Sequence, residues 1–178
     1  DQVILVDGHP RWDWLWIGVI KRLREVLSGL QVEINEEKTK FLDLTNGDCF
    51  SFLGFEFRRT KSIHGKWRAN YQPLTSARNK VIDRVRSVFE HYKSQPLDRV
   101  AYLINPILRG WVQYFRVGNS GKTFDYIKDW LTKKIRRHIM HSKKRSGFGW
   151  KRWSNKELYG RYNIYSDFHL VSRKAVPT

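Results

Sequence analysis

The stretch KKRSGFGWKRWSNKELYGRY, residues 143–162, sets Lys143, Lys144, Arg145, Lys151 and Arg152 among Phe148, Trp150, Trp153 and Tyr159. Cations at this density neutralise phosphates and release counterions, and aromatic faces accept bases or pack against riboses. The two types together are the chemistry of polyanion binding. The competing reading is a solvated basic loop whose rings anchor it to a core. Other candidate groups are sparse. His138 and His141 lie one helical turn apart, a ligand-like spacing, but the surrounding Lys and Arg repel cations and no carboxylate or cysteine follows at useful distance. Asp1 and Asp7 flank an apolar run, and a carboxylate at the edge of such a strand can hold Mg²⁺ beside a phosphate. No nucleophile-and-base pair and no paired carboxylates stand at a spacing that announces side-chain catalysis.

The composition narrows the partner. With 178 residues, 40% of them hydrophobic and 15% aromatic, the chain folds. A net charge of +17 exceeds what solubility requires and implicates a nucleic acid or an anionic membrane surface. The charge is uneven: residues 1–57 carry six basic and ten acidic side chains, a net of −4, whereas residues 58–178 carry 28 and seven, a net of +21. The shift near Arg58 marks a candidate boundary. The lone Cys49 precludes an intramolecular disulfide and fits a reducing compartment, with the cytosol as default. There is no run of 18 apolar residues and no signal-peptide pattern at the start. Because it opens on a strand-like run without an initiating Met, the chain reads as a fragment.

The elements that must position these groups follow from periodicity. Val3 to Val6 reads as a buried strand stopped by Asp7, Gly8 and Pro10. Trp16, Val19, Ile20, Leu23, Leu27 and Leu30 recur at helical spacing from Trp12, and Gly29 fits a helix stop. QVEI, KFLDL and CFSFLGFEF read as three short strands, and His64-Gly65 as a hairpin turn leading into KWRANY. Beyond Tyr71 the period turns helical, which sets the domains at 1–71 and 72–178. Thr75 or Ser76 caps a helix with its stripe at Val81, Val85, Val88, Phe89 and Tyr92 and an outer face of Arg78, Lys80, Arg84 and Arg86. Pro96 opens a second helix with a stripe from Val100 to Phe115, and Pro106 within it predicts a kink, or a break capped by Asn105. A third runs from Thr123 to Ser142 with Phe124, Ile127, Leu131, Ile135 and His138 inward, and Ser154 to Glu157 has the form of a capping box before an irregular tail. The class is α+β: a small β-rich part with one helix, then a three-helix bundle and a basic tail.

Taken in order, NEEKT, FSFLGFEF, NPILRGWVQYFRVGNS, FDYIKDWLTKKIRRHI and GFGWKRWS resemble the last palm motifs and the maturase (thumb, or X) domain of group II intron-encoded reverse transcriptases. The resemblance covers nearly the whole chain. It implies that the parent protein is an RNA-directed DNA polymerase using Mg²⁺, and that this chain alone, without the upstream fingers and most of the palm, is inactive. Asp1 matches the second aspartate of the family's Tyr-Ala-Asp-Asp motif and so is implied as a metal ligand, although Gln2 stands where the family has an apolar residue. Leu53, Gly54 and Phe55 match the primer-grip region, where Gly54 either lets the backbone approach the primer or marks a bulge. The implied partners are group II intron RNA, an RNA template–DNA primer duplex and target DNA.

Nucleic-acid contacts are expected from Arg78, Lys80, Arg84 and Arg86, from Arg109, Arg116 and Lys122, and from Lys133, Lys134, Arg136, Arg137, Lys143, Lys144, Arg145, Lys151 and Arg152. Trp150 and Trp153 fall off the apolar stripes and are expected to contact RNA, whereas Trp111, Tyr114 and Phe115 follow a stripe and are expected in the core. Two other readings are a maturase-like RNA-binding module that never polymerises, and a generic basic DNA-binding or architectural protein.

Overall fold

The computed structural model describes residues 2–171, and the chain divides into two compact units, Asp1–Asn70 and Tyr71–Thr178. Helices and an antiparallel sheet occupy separate stretches, so the class is α+β.

In the first unit a single 3-10 turn, Pro10–Trp12, leads into α1 (Asp13–Gly29). Val19, Ile20, Leu23 and Leu27 of the expected stripe are half-buried, while Trp16 and Leu30 stay exposed. The left-handed residue that closes this helix is Gln31 (φ 56°), two positions beyond Gly29. Three expected strands are absent. Val3 to Val6 is an exposed segment outside the sheet. QVEI follows a helix end held by Val32 N–H donating to Leu27 O, and turns at once where Lys38 N–H donates to Asn35 Oδ1. KFLDL is drawn into a turn by Asp43, whose carboxylate accepts from Thr45 N–H at 2.8 Å and Thr45 Oγ1 at 2.6 Å. Such local side-chain bonds compete with a strand ladder. They also hold the Asp43 carboxyl below its usual pKa.

CFSFLGFEF is two strands, not one. β1 (Cys49–Phe52) and β2 (Phe55–Lys61) pair antiparallel with Phe52 opposite Phe55, so Leu53 and Gly54 form a two-residue turn. Both have positive φ, 48° and 79°, the backbone hand that matches strand twist in such hairpins. Gly54 is therefore a turn glycine and not a bulge. β3 (Trp67–Pro73) completes the order β1-β2-β3. Its connection is the expected His64-Gly65 turn, closed by Ser62 N–H donating to Lys66 O at 2.8 Å.

The second unit is built on α2 (Thr75–His91), α3 (Leu97–Phe115) and α4 (Gly121–Ser142), which pack pairwise. α3 supplies the central stripe, Val100, Ile104 and Leu108, all at most 1% exposed. α2 adds Val81, Val85 and Phe89, and α4 adds Ile127, Leu131, Ile135 and Ile139. Pro106 neither breaks nor caps α3. Its missing donor costs about 3 kcal/mol, whereas full burial of Ile104 and Leu108 on either side contributes about 1.5–3 kcal/mol each. Asn105 acts as a fastener instead of a cap. Its Nδ2 donates to Asn163 O and its Oδ1 accepts from Tyr165 N–H, both at 2.8 Å, which holds the segment after α5 (Asn155–Arg161) onto α3. The caps differ from expectation at α2, where Leu74 precedes the first turn without a side-chain bond. At α5 the capping box is complete: Glu157 N–H donates to Ser154 Oγ, and the Glu157 carboxylate accepts from Ser154 N–H at 2.6 Å.

Replacing Asn105 with Ala should leave two backbone groups of residues 163–165 unpaired, at a cost of about 1–3 kcal/mol, read as faster amide exchange in that segment. The bonds from Ser154 hold the Glu157 carboxyl below its usual pKa. Its contribution is therefore complete above the ordinary glutamate range and is lost as pH falls through the depressed folded value. In urea unfolding from about pH 6 to about pH 3, Glu157→Gln should flatten that part of the stability profile.

Candidate nucleic-acid interface

On α2 the basic residues lie on both sides of the buried stripe and do not share one outer face. Lys80 and Arg84, one turn apart and exposed, line a groove with Pro106, Gly110 and Trp111 of α3. Arg78 and Arg86 turn toward α4, where the Arg78 guanidinium lies 4.3 Å from the Tyr126 ring centroid and that of Arg86 5.9 Å from Trp130. Arg86 also pairs with Asp83. The groove's apolar wall comes from Trp111, which is half-buried and donates through Nε1 to Ala77 O at 3.3 Å. Phe115 is buried as expected, whereas Tyr114 is half exposed.

Arg109 and Lys122 are exposed. Arg116 is tied down, its Nη2 lying 3.4 Å from both Asp167 Oδ2 and His169 O. It secures the tail instead of presenting a charge. On α4, Lys133 is exposed and paired with Asp129 at 2.7 Å. Lys134 and Arg137 open toward the end of α2.

Arg136 departs most clearly from expectation. It is 2% exposed and cannot meet a phosphate. Its Nη2 donates to Asn155 Oδ1 at 2.9 Å, its Nη1 donates to Gly149 O at 3.3 Å, and its guanidinium lies 4.3 Å from the Trp150 ring centroid. Burial pulls its pKa below the usual arginine value, yet arginine keeps its charge in proteins. The basic aromatic loop is therefore wrapped around an arginine. Gly149 must be glycine here: φ is +61°, and a Cβ would stand 2.7 Å from the Trp153 ring.

This wrapping sorts the loop's rings. Trp153, expected to contact RNA, is half-buried and packs against the core. Trp150 is 52% exposed, with Arg136 at its face. Lys143 stands 5.0 Å from the Trp153 centroid, and Lys143, Lys144, Arg145, Lys151 and Arg152 are all exposed. Tyr159 is half-buried, sharing a 3.0 Å hydrogen bond with Thr132 of α4, and burial raises its pKa.

In the first unit Leu53 is exposed at the hairpin turn and Phe55 is buried beneath it. Asp1 lies outside the described residues. Among the described residues no group of three or more His, Cys, Asp or Glu is placed to hold a metal ion. Lys93 and Arg99 escaped sequence reading because they sit outside charge runs. Lys93 faces the same pocket as Lys134 and Arg137, and Arg99 lies 5.7 Å from the exposed Tyr102 ring.

Residues 78–162 match the family model of the group II intron, maturase-specific domain. The matched segment runs from the first turn of α2 to the end of α5, so it takes in the basic grooves and the Arg136-centred loop. No curated protein matches the chain significantly.

Arg136→Ala should release residues 145–153 and destabilise the second unit by about 1.5–3 kcal/mol, the scale of hydrogen bonds to a charged group. Limited chymotrypsin digestion should then cut near Phe148 and Trp150, which the native loop resists. Arg136→Lys should show the same release because a single ammonium cannot replace the planar fork.

Proposed function

We propose that the second unit binds group II intron RNA and supports its splicing. The observation that carries this reading is the maturase-specific match at residues 78–162, which falls within the part of the chain that holds the whole positive excess, +21 from residue 58 onward. Such a role needs no side-chain catalysis, because the folded RNA carries the chemistry. It does need cations on several faces, since a structured RNA presents phosphates from more than one direction. Lys80 and Arg84 on one side of α2, and Lys134, Arg137 and the loop cations beyond α4, meet that need. Trp150 adds an exposed ring backed by a guanidinium, an arrangement suited to an unpaired base.

The finer reading places this unit as the thumb of a reverse transcriptase, gripping the template–primer duplex by its backbone while Leu53 and Gly54 lie near the primer. In that reading Asp1 contributes to Mg²⁺ binding, together with carboxylates beyond this chain. The described residues hold no ligand set for that ion, and no catalytic step is assigned to them. No helix of the described residues is long and apolar enough to cross a membrane.

The test is a salt series of binding to the intron RNA, to an RNA–DNA hybrid and to an unrelated structured RNA. Selective binding to the intron RNA that persists at higher salt is the expected result. Equal binding to all three, lost steeply with salt, would overturn intron recognition and leave generic electrostatic attraction. Lys80→Ala with Arg84→Ala should lower the logarithmic salt slope by about 2, close to one per phosphate contact removed. Arg116→Ala should instead loosen the tail with little change in slope.

A further inference from the structure

The last turn of α2, the turn that follows it and the C-terminal half of α4 enclose a pocket of about 320 Å³. Its floor is aromatic: Phe89 and His138 are both buried, with ring centroids 5.6 Å apart in an edge arrangement. The His138 ring is held in place by a 2.9 Å hydrogen bond between Nε2 and Gln95 O. The rim is cationic. Lys93, Lys134, Arg137 and Arg145 line it from three separate segments, with His141 beside them. Glu90 is the one carboxylate of the lining, 3.8 Å from Lys134 Nζ, and among the described residues no carboxylate lies within 4 Å of Lys93, Arg137 or Arg145.

Unneutralised cations that converge on a concavity differ from cations spread along a helix. The spread ones track a duplex backbone; converging ones hold one anionic group at a fixed place. The pocket's volume sits at the lower end of the range for small-ligand sites, about 300–1,000 Å³. An aromatic floor beneath a cationic rim suits a group with a flat, apolar half and a phosphate half. A duplex cannot enter such a cleft, but a nucleotide that has left the stack can.

We propose that this pocket receives one unpaired, phosphate-bearing nucleotide of the bound RNA. The proposal deepens the RNA-binding reading and rests on it for the source of the nucleotide. It also explains why Lys134, Arg137 and Arg145 lie on one concave surface with Lys93, which the charge runs of the sequence do not contain.

Two measurements test it on the full chain. In the first, AMP, inorganic phosphate and adenosine are titrated while the ring resonances of His138 and His141 are followed by NMR. AMP is expected to shift both and to bind at least about tenfold more tightly than phosphate or adenosine. Equal effects of AMP and phosphate would reduce the site to a simple anion hole and overturn the proposal, as would an absence of shifts. In the second, two RNA hairpins identical except for one bulged nucleotide are compared. The chain is expected to prefer the bulged hairpin by about tenfold. Lys93→Ala, at an exposed turn position, should erase that preference while leaving affinity for the fully paired hairpin within about twofold. Parallel losses on both hairpins would overturn the pocket. Failure of intron RNA to bind, with AMP still shifting His141, would remove the splicing reading and leave a nucleotide pocket. Intron RNA binding with His141 unmoved by AMP would do the reverse.

Discussion

Burial of the α3 stripe is the constraint on which the second unit depends. Val100, Ile104 and Leu108 present no appreciable surface to solvent, and α2 and α4 must lie against them to make that so. Once both helices are placed by their own apolar stripes, the remaining faces have no choice of direction. Lys80 and Arg84 fall on the side of α2 toward the α3 groove, and Arg86 falls toward α4. The disposition of positive charge is thus a consequence of where methyl groups are hidden, and Pro106 is tolerated inside α3 for the same reason.

A second layer of organisation hangs on polar side chains drawn off the surface and bonded to segments distant in sequence. Arg136 ties the loop to α5 through Gly149 O and Asn155 Oδ1, Asn105 ties the following segment to α3, and Arg116 ties the tail at Asp167 and His169. Each is a residue of the kind that ordinarily faces water, placed where leaving it unpaired would cost more than the bond returns. The loop's exposed cations and Trp150 are thereby held in position before any partner arrives, which lowers the ordering cost of binding.

The first unit behaves differently. Phe55 is its one buried hydrophobic residue among those described, and the rings of α1, Trp14 and Trp16, stay exposed. Strand patterns are poor guides there because a strand needs a partner. Val3 to Val6 has the composition of a buried strand yet lies outside the sheet, and KFLDL is overruled by the turn that Asp43 makes with Thr45. Where a hairpin carries its own turn chemistry, at His64-Gly65, expectation and structure agree, since that turn is specified by neighbouring residues alone.

Features governed by local period and by composition were legible in the amino-acid order alone. These include the three long helices and their inward residues, the capping box at Ser154 and the concentration of charge beyond Arg58. Which cations face solvent was settled only by tertiary packing. Arg136 and Arg137 are adjacent in one basic run, yet a single step around the helix, about 100°, buries the first beneath Trp150 and turns the second into a pocket shared with Lys93. A charge run records how many cations are present. Which of them can reach a phosphate depends on the neighbouring elements that cover the rest, and those neighbours lie far away in sequence.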